Sequence, residues 1–183
     1  DRTVAVSNSL ELDGMWILTA PNMAGKSTIL RSTAAASLLV ACGLCAPVGA
    51  GSCVRRFDHI FVRGASSDVP AENKSAFGAE MEDIASLLRS CGERSLVFVD
   101  ELARGTSPRD GTVLAAAVLE EMARQGMSGI FATHLHELLR LPIQHTNRIG
   151  KKMMEMRTEH RNDNTIYRWT FHLVDGVCTD SLA

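Results

Sequence analysis

Residues 20–28, Ala-Pro-Asn-Met-Ala-Gly-Lys-Ser-Thr, have the types and spacing of a loop that binds phosphate. Lys26 would place a positive charge beside the β and γ phosphates of a nucleotide, and the hydroxyl of Ser27 would ligate Mg²⁺. A turn with inward-pointing backbone N–H groups, followed by the positive end of a helix, suits such an anion. We call residues 20–28 the phosphate loop and predict these nucleotide-binding residues: Pro21, Asn22, Met23, Ala24, Gly25, Lys26, Ser27 and Thr28.

Polar side chains also follow two apolar runs further along the chain. Asp100 and Glu101 come directly after residues 96–99, and His134 follows residues 128–133. A carboxylate like that of Asp100 holds Mg²⁺ in phosphate-loop nucleotidases, Glu101 can polarise a water for in-line attack, and His134 can contact the γ-phosphate. Because ligands bind beyond the carboxyl ends of parallel strands, we expect these residues and the loop after Val62 to converge on the phosphate loop. The alternatives are that the carboxylates cap a turn and that His134 is structural.

The segments that must position these residues alternate between strands and helices. Apolar runs predict parallel strands at 15–19, 57–62, 95–99 and 128–133. Helices are predicted at 27–42, buried on most sides, at 75–91, and at 111–124 with Asp110 as its N-cap. Residues 152–159 and 165–174 flank turn residues and predict an antiparallel β-hairpin. The predicted fold class is α/β, with a mainly parallel central sheet flanked by helices and an antiparallel β-hairpin region.

Two smaller expectations concern the first quarter of the chain. Residues 4–12 alternate between apolar and polar, which predicts a hairpin partner for the strand at 15–19. Cys42 and Cys45 form a C-x-x-C pair at the apolar end of a predicted helix. We interpret them as small buried residues, in preference to a redox or zinc site. The five cysteines are odd in number and are not spaced as a disulfide framework, which favours a reducing or redox-neutral compartment.

Length and composition limit the functional classes. The 183 residues suit one domain, 22% of them are charged, and the net charge is −2. A net charge of −2 is not typical of a domain that binds nucleic acid through its overall electrostatic field. If DNA is a partner, most of the contact would be made by other parts of the protein. No uninterrupted apolar run reaches 18 residues, so we expect no membrane partner. The start Asp1-Arg2-Thr3 lacks a methionine, and we expect a piece of a longer chain.

The phosphate loop and the stretch Asp100-Glu-Leu-Ala-Arg-Gly-Thr106 together resemble the C-terminal ATPase domain of the MutS mismatch-repair family. The resemblance runs from about residue 4 to residue 183. It implies a P-loop NTPase of ABC type that uses ATP and Mg²⁺ and hydrolyses ATP to ADP and phosphate. On this resemblance the catalytic residues are Lys26, Glu101 and His134, and the magnesium ligands are Ser27 and Asp100.

The resemblance also implies a composite site. Residues 75–81 are similar to the family's S-T-F-M-x-E-M stretch, so Ser75 would reach the γ-phosphate bound by the other subunit. Asn8 would lie close to the adenine. Ala20, Ala76 and Gly78 depart from the family's glycine, threonine and methionine. If the first position needs a positive φ, Ala20 would weaken phosphate wrapping at a cost of about 1 kcal/mol.

The implied protein is larger than this chain. Residues 1–183 would be the ATPase domain alone, without the family's DNA-reading domains and its C-terminal dimerisation segment. The implied partners are a second MutS-like subunit, identical or not, mismatched double-stranded DNA bound through the absent domains, and a MutL-like protein. Residues 133–142 and 175–183 resemble organellar MutS homologues of plants and algae. The compartment would then be the mitochondrion or chloroplast, and otherwise the nucleus or bacterial cytoplasm.

Two other functions compete with mismatch repair driven by ATP hydrolysis. A transporter subunit or chromosome-maintenance ATPase would carry an L-S-G-G-Q-like signature, and a transporter also a Gln loop, neither of which the sequence contains. An ATP-binding clamp or recombination-suppressing scaffold with little turnover stays open as the alternative. Ala20 is the main support for it.

Overall fold

The computed structural model describes residues 5–64, 76–103, 106–161 and 164–178. Within them one six-stranded sheet has the order β2-β3-β4-β1-β5-β6. Its strands are β1 Met15–Thr19, β2 His59–Arg63, β3 Ser95–Asp100, β4 Ser128–Ala132, β5 Ile149–Arg161 and β6 Asn164–Asp175. Every neighbouring pair is parallel except β5 with β6. The predicted α/β fold, with a mainly parallel sheet and an antiparallel hairpin, is confirmed.

Helices cover both faces of this sheet. They are α1 Lys26–Ala41, α2 Ala76–Ser90 and α3 Pro108–Arg124, and two short 3₁₀ turns follow at His136–Arg140 and Thr146–Arg148. Met15 and Ile17 of β1 pack with α2 and α3, whereas Trp16 and Leu18 pack with α1. Since both faces are covered, β1, β3 and β4 are buried along their whole length. None of the described helices is long and apolar enough to cross a membrane.

The predicted hairpin partner for β1 is wrong, because residues 5–12 form no strand. Both edges of β1 are already paired, one with β4 and the other with β5. No edge is left for a third neighbour, so the alternation of this segment has another cause. Leu10 and Leu12 are partly buried against the α1 side of the core.

The expectation that α1 is buried on most sides is also wrong. Ile29, Leu30 and Ala34 are buried, but Leu38 is 54% exposed. A helix lying on one face of a sheet buries only the stripe that contacts the sheet. Cys42 and Cys45 follow the end of α1 and are exposed, contrary to the buried positions expected for them.

Helix α3 begins earlier than its sequence pattern indicated, and its N-cap is Ser107 instead of Asp110. The Ser107 hydroxyl accepts a hydrogen bond from the Asp110 N–H at 3.2 Å and donates one to the Asp110 carboxylate at 2.7 Å. Pro108 occupies the first helical position, where its fixed φ suits a helix and its missing N–H is not needed. Asp110 therefore lies inside the first turn.

We predict that Gly129→Ala breaks the pairing of β3 with β4. Gly129 has φ +152°, and a Cβ built on it would lie 1.8 Å from the carbonyl oxygen of Val97. The strands must separate to admit it, so we expect the free energy of unfolding to fall by about 3 kcal/mol or more. Urea unfolding measures the loss. Gly92→Ala is the control, since its Cβ would have nothing within 4 Å, and equal losses for both variants would contradict the prediction.

Candidate functional site

Three residues predicted to carry the chemistry meet at one edge of the sheet. Strands β3, β4 and β1 are neighbours, so the loops that follow their carboxyl ends lie side by side. Lys26 Nζ lies 3.2 Å from Glu101 Oε1 and 2.6 Å from His134 Nε2. His134 Nε2 lies 2.8 Å from the same Glu101 oxygen. An ammonium, a carboxylate and an imidazole thus lie within hydrogen-bonding distance of one another.

The phosphate loop has the backbone of an anion-binding turn. Met23 has φ 65° and Gly25 has φ 93°, and alternation of such residues with ordinary ones turns successive N–H groups toward one side. Helix α1 begins at Lys26 with no side-chain cap and no acidic residue in its first turn. Its N-cap, Gly25, has no side chain that could occupy the first N–H groups of the helix.

Asp100 is the last residue of β3 and is only 3% exposed. Its Oδ1 atom is buried and makes no hydrogen bond to any residue that the structure describes. A buried carboxylate oxygen is costly unless a cation or a donor satisfies it. Carboxylate and hydroxyl oxygens are the ligands that Mg²⁺ prefers, so Asp100 with Ser27, in the first turn of α1, fits this ion.

The pKa of His134 is lowered below its ordinary value of 6.5 by burial first and by the Lys26 ammonium second, although Glu101 opposes both. The imidazole is therefore neutral at physiological pH. Nε2 of His134 lies within hydrogen-bonding distance of both Lys26 Nζ, at 2.6 Å, and Glu101 Oε1, at 2.8 Å. The tautomer of the ring decides whether Nε2 accepts from the ammonium or donates to the carboxylate. The Glu101 carboxylate is also paired with Lys26.

Phe171 is a site residue that sequence reasoning missed. In the β5–β6 ladder Met154 faces Leu173 and Met156 faces Trp169, so one residue of β5 lies opposite three of β6. Phe171 is in the middle of this bulge with φ 59°, and its ring lies against the phosphate loop. A Cβ built on Gly25 would be 3.2 Å from Phe171 Cδ1. The strand pattern gave no signal for a bulge here.

Asn8 fastens this bulge. Its Nδ2 donates to the carbonyl of Phe171 at 3.0 Å, and its Oδ1 accepts from the N–H of Leu173 at 2.7 Å. Both ends of the amide are thus engaged with the backbone of β6. The family resemblance predicts that Asn8 lies close to the adenine. The structure places it beside Phe171, the residue whose ring contacts the phosphate loop.

Ala20 and Ser75 complete the set of residues singled out from the sequence. Ala20 is 1% exposed and is not among the residues with a positive φ. The strain that its side chain would suffer in a left-handed conformation is therefore absent from this structure. Ser75, predicted to act in trans, lies outside the described residues.

Comparison with known proteins gives consistent matches. Residues 16–183 match the family model described as MutS domain V. The chain is 39% identical over 179 residues to the DNA mismatch repair protein MSH1, mitochondrial, of Arabidopsis thaliana, which covers 98% of this chain and 16% of that protein. It is 45% identical over 142 residues to the DNA mismatch repair protein MutS of Nitratidesulfovibrio vulgaris, which covers 74% of this chain and 16% of that one. The chain spans about a sixth of the length of these relatives.

We predict that the His134 ring titrates below pH 6.5 and that Lys26→Met raises its midpoint by removing a positive neighbour. The unfolded chain binds more protons than the folded one in this range, so His134 makes folding less favourable as pH falls below 6.5. NMR titration of the ring measures the midpoint. Lys151→Met removes a charge from an exposed residue and should leave it unchanged. A wild-type midpoint above 6.5 would contradict the prediction.

Proposed function

The chain belongs to the MutS family of DNA mismatch-repair proteins, and from that premise we propose that it binds Mg-ATP and hydrolyses it to ADP and phosphate. It would do so as a P-loop NTPase domain of ABC type, and hydrolysis would drive recognition and repair of mismatched DNA. The meeting of Lys26, Glu101 and His134 beside an unsatisfied oxygen of buried Asp100 is the observation that carries this proposal.

The phosphate loop would hold the nucleotide's phosphates. The backbone N–H groups of residues 22–27 would donate to the phosphate oxygens, a role that the positive φ values of Met23 and Gly25 support. The Lys26 ammonium would pair with the β and γ phosphates. Asp100 and the hydroxyl of Ser27 would hold Mg²⁺, which when bound neutralises charge on the same oxygens.

Glu101 would act as the general base. In the structure its carboxylate is paired with Lys26, at 3.2 Å. When the lysine turns to the phosphates, this carboxylate becomes able to accept a proton from the attacking water. His134 would donate a hydrogen bond to the γ-phosphate from the ring nitrogen that carries the proton. A neutral imidazole can carry that proton on either nitrogen without a change of charge.

The base of the nucleotide would lie beside Phe171. Phe171 is 42% exposed and its ring lies against the phosphate loop, so it would offer an aromatic face for adenine to stack on. Asn8 would contribute by holding the bulge, since both ends of its amide are already bonded to β6.

The same proposal extends to the partners. Ser75 would complete the site of a second MutS-like subunit, and DNA would be bound by parts of the protein outside this chain, with a MutL-like protein as a further partner. The net charge of −2 agrees with a DNA contact made elsewhere. The similarity to a protein named as mitochondrial supports the mitochondrion as the compartment.

The alternative, a scaffold that binds ATP with little turnover, depended on a strained Ala20. Ala20 has no positive φ in this structure, and its Cβ is accommodated in the core with 1% exposure. That support is lost, whereas the positions of Glu101 and His134 favour turnover. Single-turnover hydrolysis by the intact dimer separates the two functions, and bound Mg-ATP without phosphate release would favour the scaffold.

We predict that changes at Glu101 and Lys26 affect different steps, hydrolysis and ATP binding respectively. Glu101→Gln should keep ATP binding and lower the hydrolysis rate by about a hundredfold or more, because the base is lost. Lys26→Ala should weaken ATP binding by about tenfold to a hundredfold, because a charged donor to the phosphates is lost. Phosphate release and equilibrium binding in the full-length protein measure these effects.

The matched control for these variants is Glu137→Gln, an exposed carboxylate in the short helix after His134. It should behave as the wild type. Hydrolysis by Glu101→Gln at the wild-type rate would overturn the role of Glu101. If both site variants still release a mismatched duplex when nucleotide is added, the proposed coupling between ATP and DNA is overturned.

We predict that Ala20→Gly leaves the affinity for ATP unchanged, because Ala20 already has an ordinary backbone conformation. It should lower the free energy of unfolding by roughly 0.5–1 kcal/mol, since glycine loses more backbone freedom on folding. Calorimetric titration with Mg-ATP and urea unfolding measure the two quantities. Tighter binding by the glycine variant would mean that the loop needs a positive φ at this position when phosphate is bound.

A further inference from the structure

The loop that carries Glu101 is held in a strained conformation. We call residues 101–103 the glutamate loop. Glu101 has φ 59° and Ala103 has φ 64°, a region that residues with a Cβ rarely adopt. Leu102, between them, is only 3% exposed. Such a conformation persists only where its surroundings hold it, so the contacts that do so decide where the Glu101 carboxylate lies.

Besides the long hydrogen bond of 3.5 Å from the N–H of Thr106 to the carbonyl of Ala103, two hydrogen bonds donated by its own N–H groups hold the glutamate loop at its ends. The N–H of Glu101 donates to the carbonyl of Ala132 in β4 at 3.0 Å, which continues the sheet. The N–H of Ala103 donates to Glu80 Oε2 in α2 at 3.2 Å. The first contact comes with the strand pairing, but the second depends on one side chain from a different element.

Glu80 is itself held in place by a buried ion pair. Its other oxygen lies 3.1 Å from an Nη atom of Arg63, the last residue of β2, and both side chains are less than one-tenth exposed. Arg63 also pairs with Asp83 at 3.2 Å, but that carboxylate is 59% exposed. A buried carboxylate with a buried guanidinium is fixed far more firmly than a surface pair.

We infer that Glu80 is a positioning residue for ATP hydrolysis. Arg63 holds Glu80, Glu80 holds the N–H of Ala103, and the glutamate loop then presents Glu101 to the site where Lys26 and His134 meet. The inference rests on the proposed function. Displacement of a catalytic group by about 1 Å costs as much as a hundredfold in rate, so a contact made two residues away is enough to matter.

Two conservative variants separate positioning from simple charge compensation. Glu80→Gln keeps the length of the side chain and an oxygen that can accept from Ala103, but it loses the charge that faces Arg63. Glu80→Asp keeps that charge but withdraws the oxygen by about 1.5 Å, the length of one carbon–carbon bond. If Glu80 acts through the Ala103 N–H, Glu80→Asp lowers kcat more than Glu80→Gln does. If Glu80 only neutralises the charge of Arg63, Glu80→Gln lowers kcat more than Glu80→Asp does.

The experiment measures kcat, the affinity for Mg-ATP and hydrogen exchange at the Ala103 amide in the full-length protein. We expect Glu80→Asp to lower kcat by about tenfold to a hundredfold with unchanged ATP affinity and faster exchange at Ala103. Glu80→Gln should lower kcat by less than Glu80→Asp does, because it keeps the acceptor for the Ala103 N–H although it loses the charge that faces Arg63. Asp83→Asn is the matched control, since it removes the exposed partner of the same arginine without touching the glutamate loop.

The inference is overturned if Glu80→Asp keeps the wild-type kcat and exchange rate, or if Glu80→Gln loses more kcat than Glu80→Asp. Failure of the proposed function has a different signature, because the wild type itself would then release no phosphate. In that case exchange at the Ala103 amide still tests whether Glu80 holds the glutamate loop.

Discussion

The buried ammonium of Lys26 is the constraint on which the candidate site depends. Lys26 is 6% exposed, so water can hydrate its charge only slightly. Glu101 and His134 contact the ammonium instead. A buried charge that loses its partner costs about 3–5 kcal/mol, which is a large part of the stability of an ordinary domain. The three side chains come from loops after β1, β3 and β4, so these strands must be neighbours in the sheet. The fold and the site are therefore specified together.

The parts of this arrangement that depend on local pattern could be predicted from the sequence. The apolar runs of β3 and β4 mark strands buried on both faces, and parallel strands bring their carboxyl ends to one edge. For that reason the meeting of Lys26, Glu101 and His134 followed from the order of strands and polar residues alone. Their roles toward a nucleotide stay predictions, as does that of Ser75.

The parts that depend on distant contacts could not be predicted. The bulge at Phe171 is held by Asn8, which is 163 residues away along the chain. Residues 5–12 alternate like a strand, but whether an edge of β1 is free is decided by β5. The hold of Glu80 on Ala103 likewise joins α2 to the end of β3. In each case the pattern of the segment itself contains no information about its partner.

The contacts of Lys26 with Glu101 and His134 also limit how the proposed site can work. On the proposed function, the phosphates of a nucleotide would replace Glu101 and His134 as the partners of the lysine, so the affinity for ATP would be a difference between two well-paired states. The same exchange would free the Glu101 carboxylate and so link arrival of the phosphates to activation of the base. This link would help catalysis only if the Glu101 carboxylate stays in the same position when Lys26 leaves it. The hydrogen bond between Glu80 and Ala103 does not involve Lys26 and is unaffected by its departure. A site that releases its base in this way therefore needs a second, independent hold on the loop that carries it.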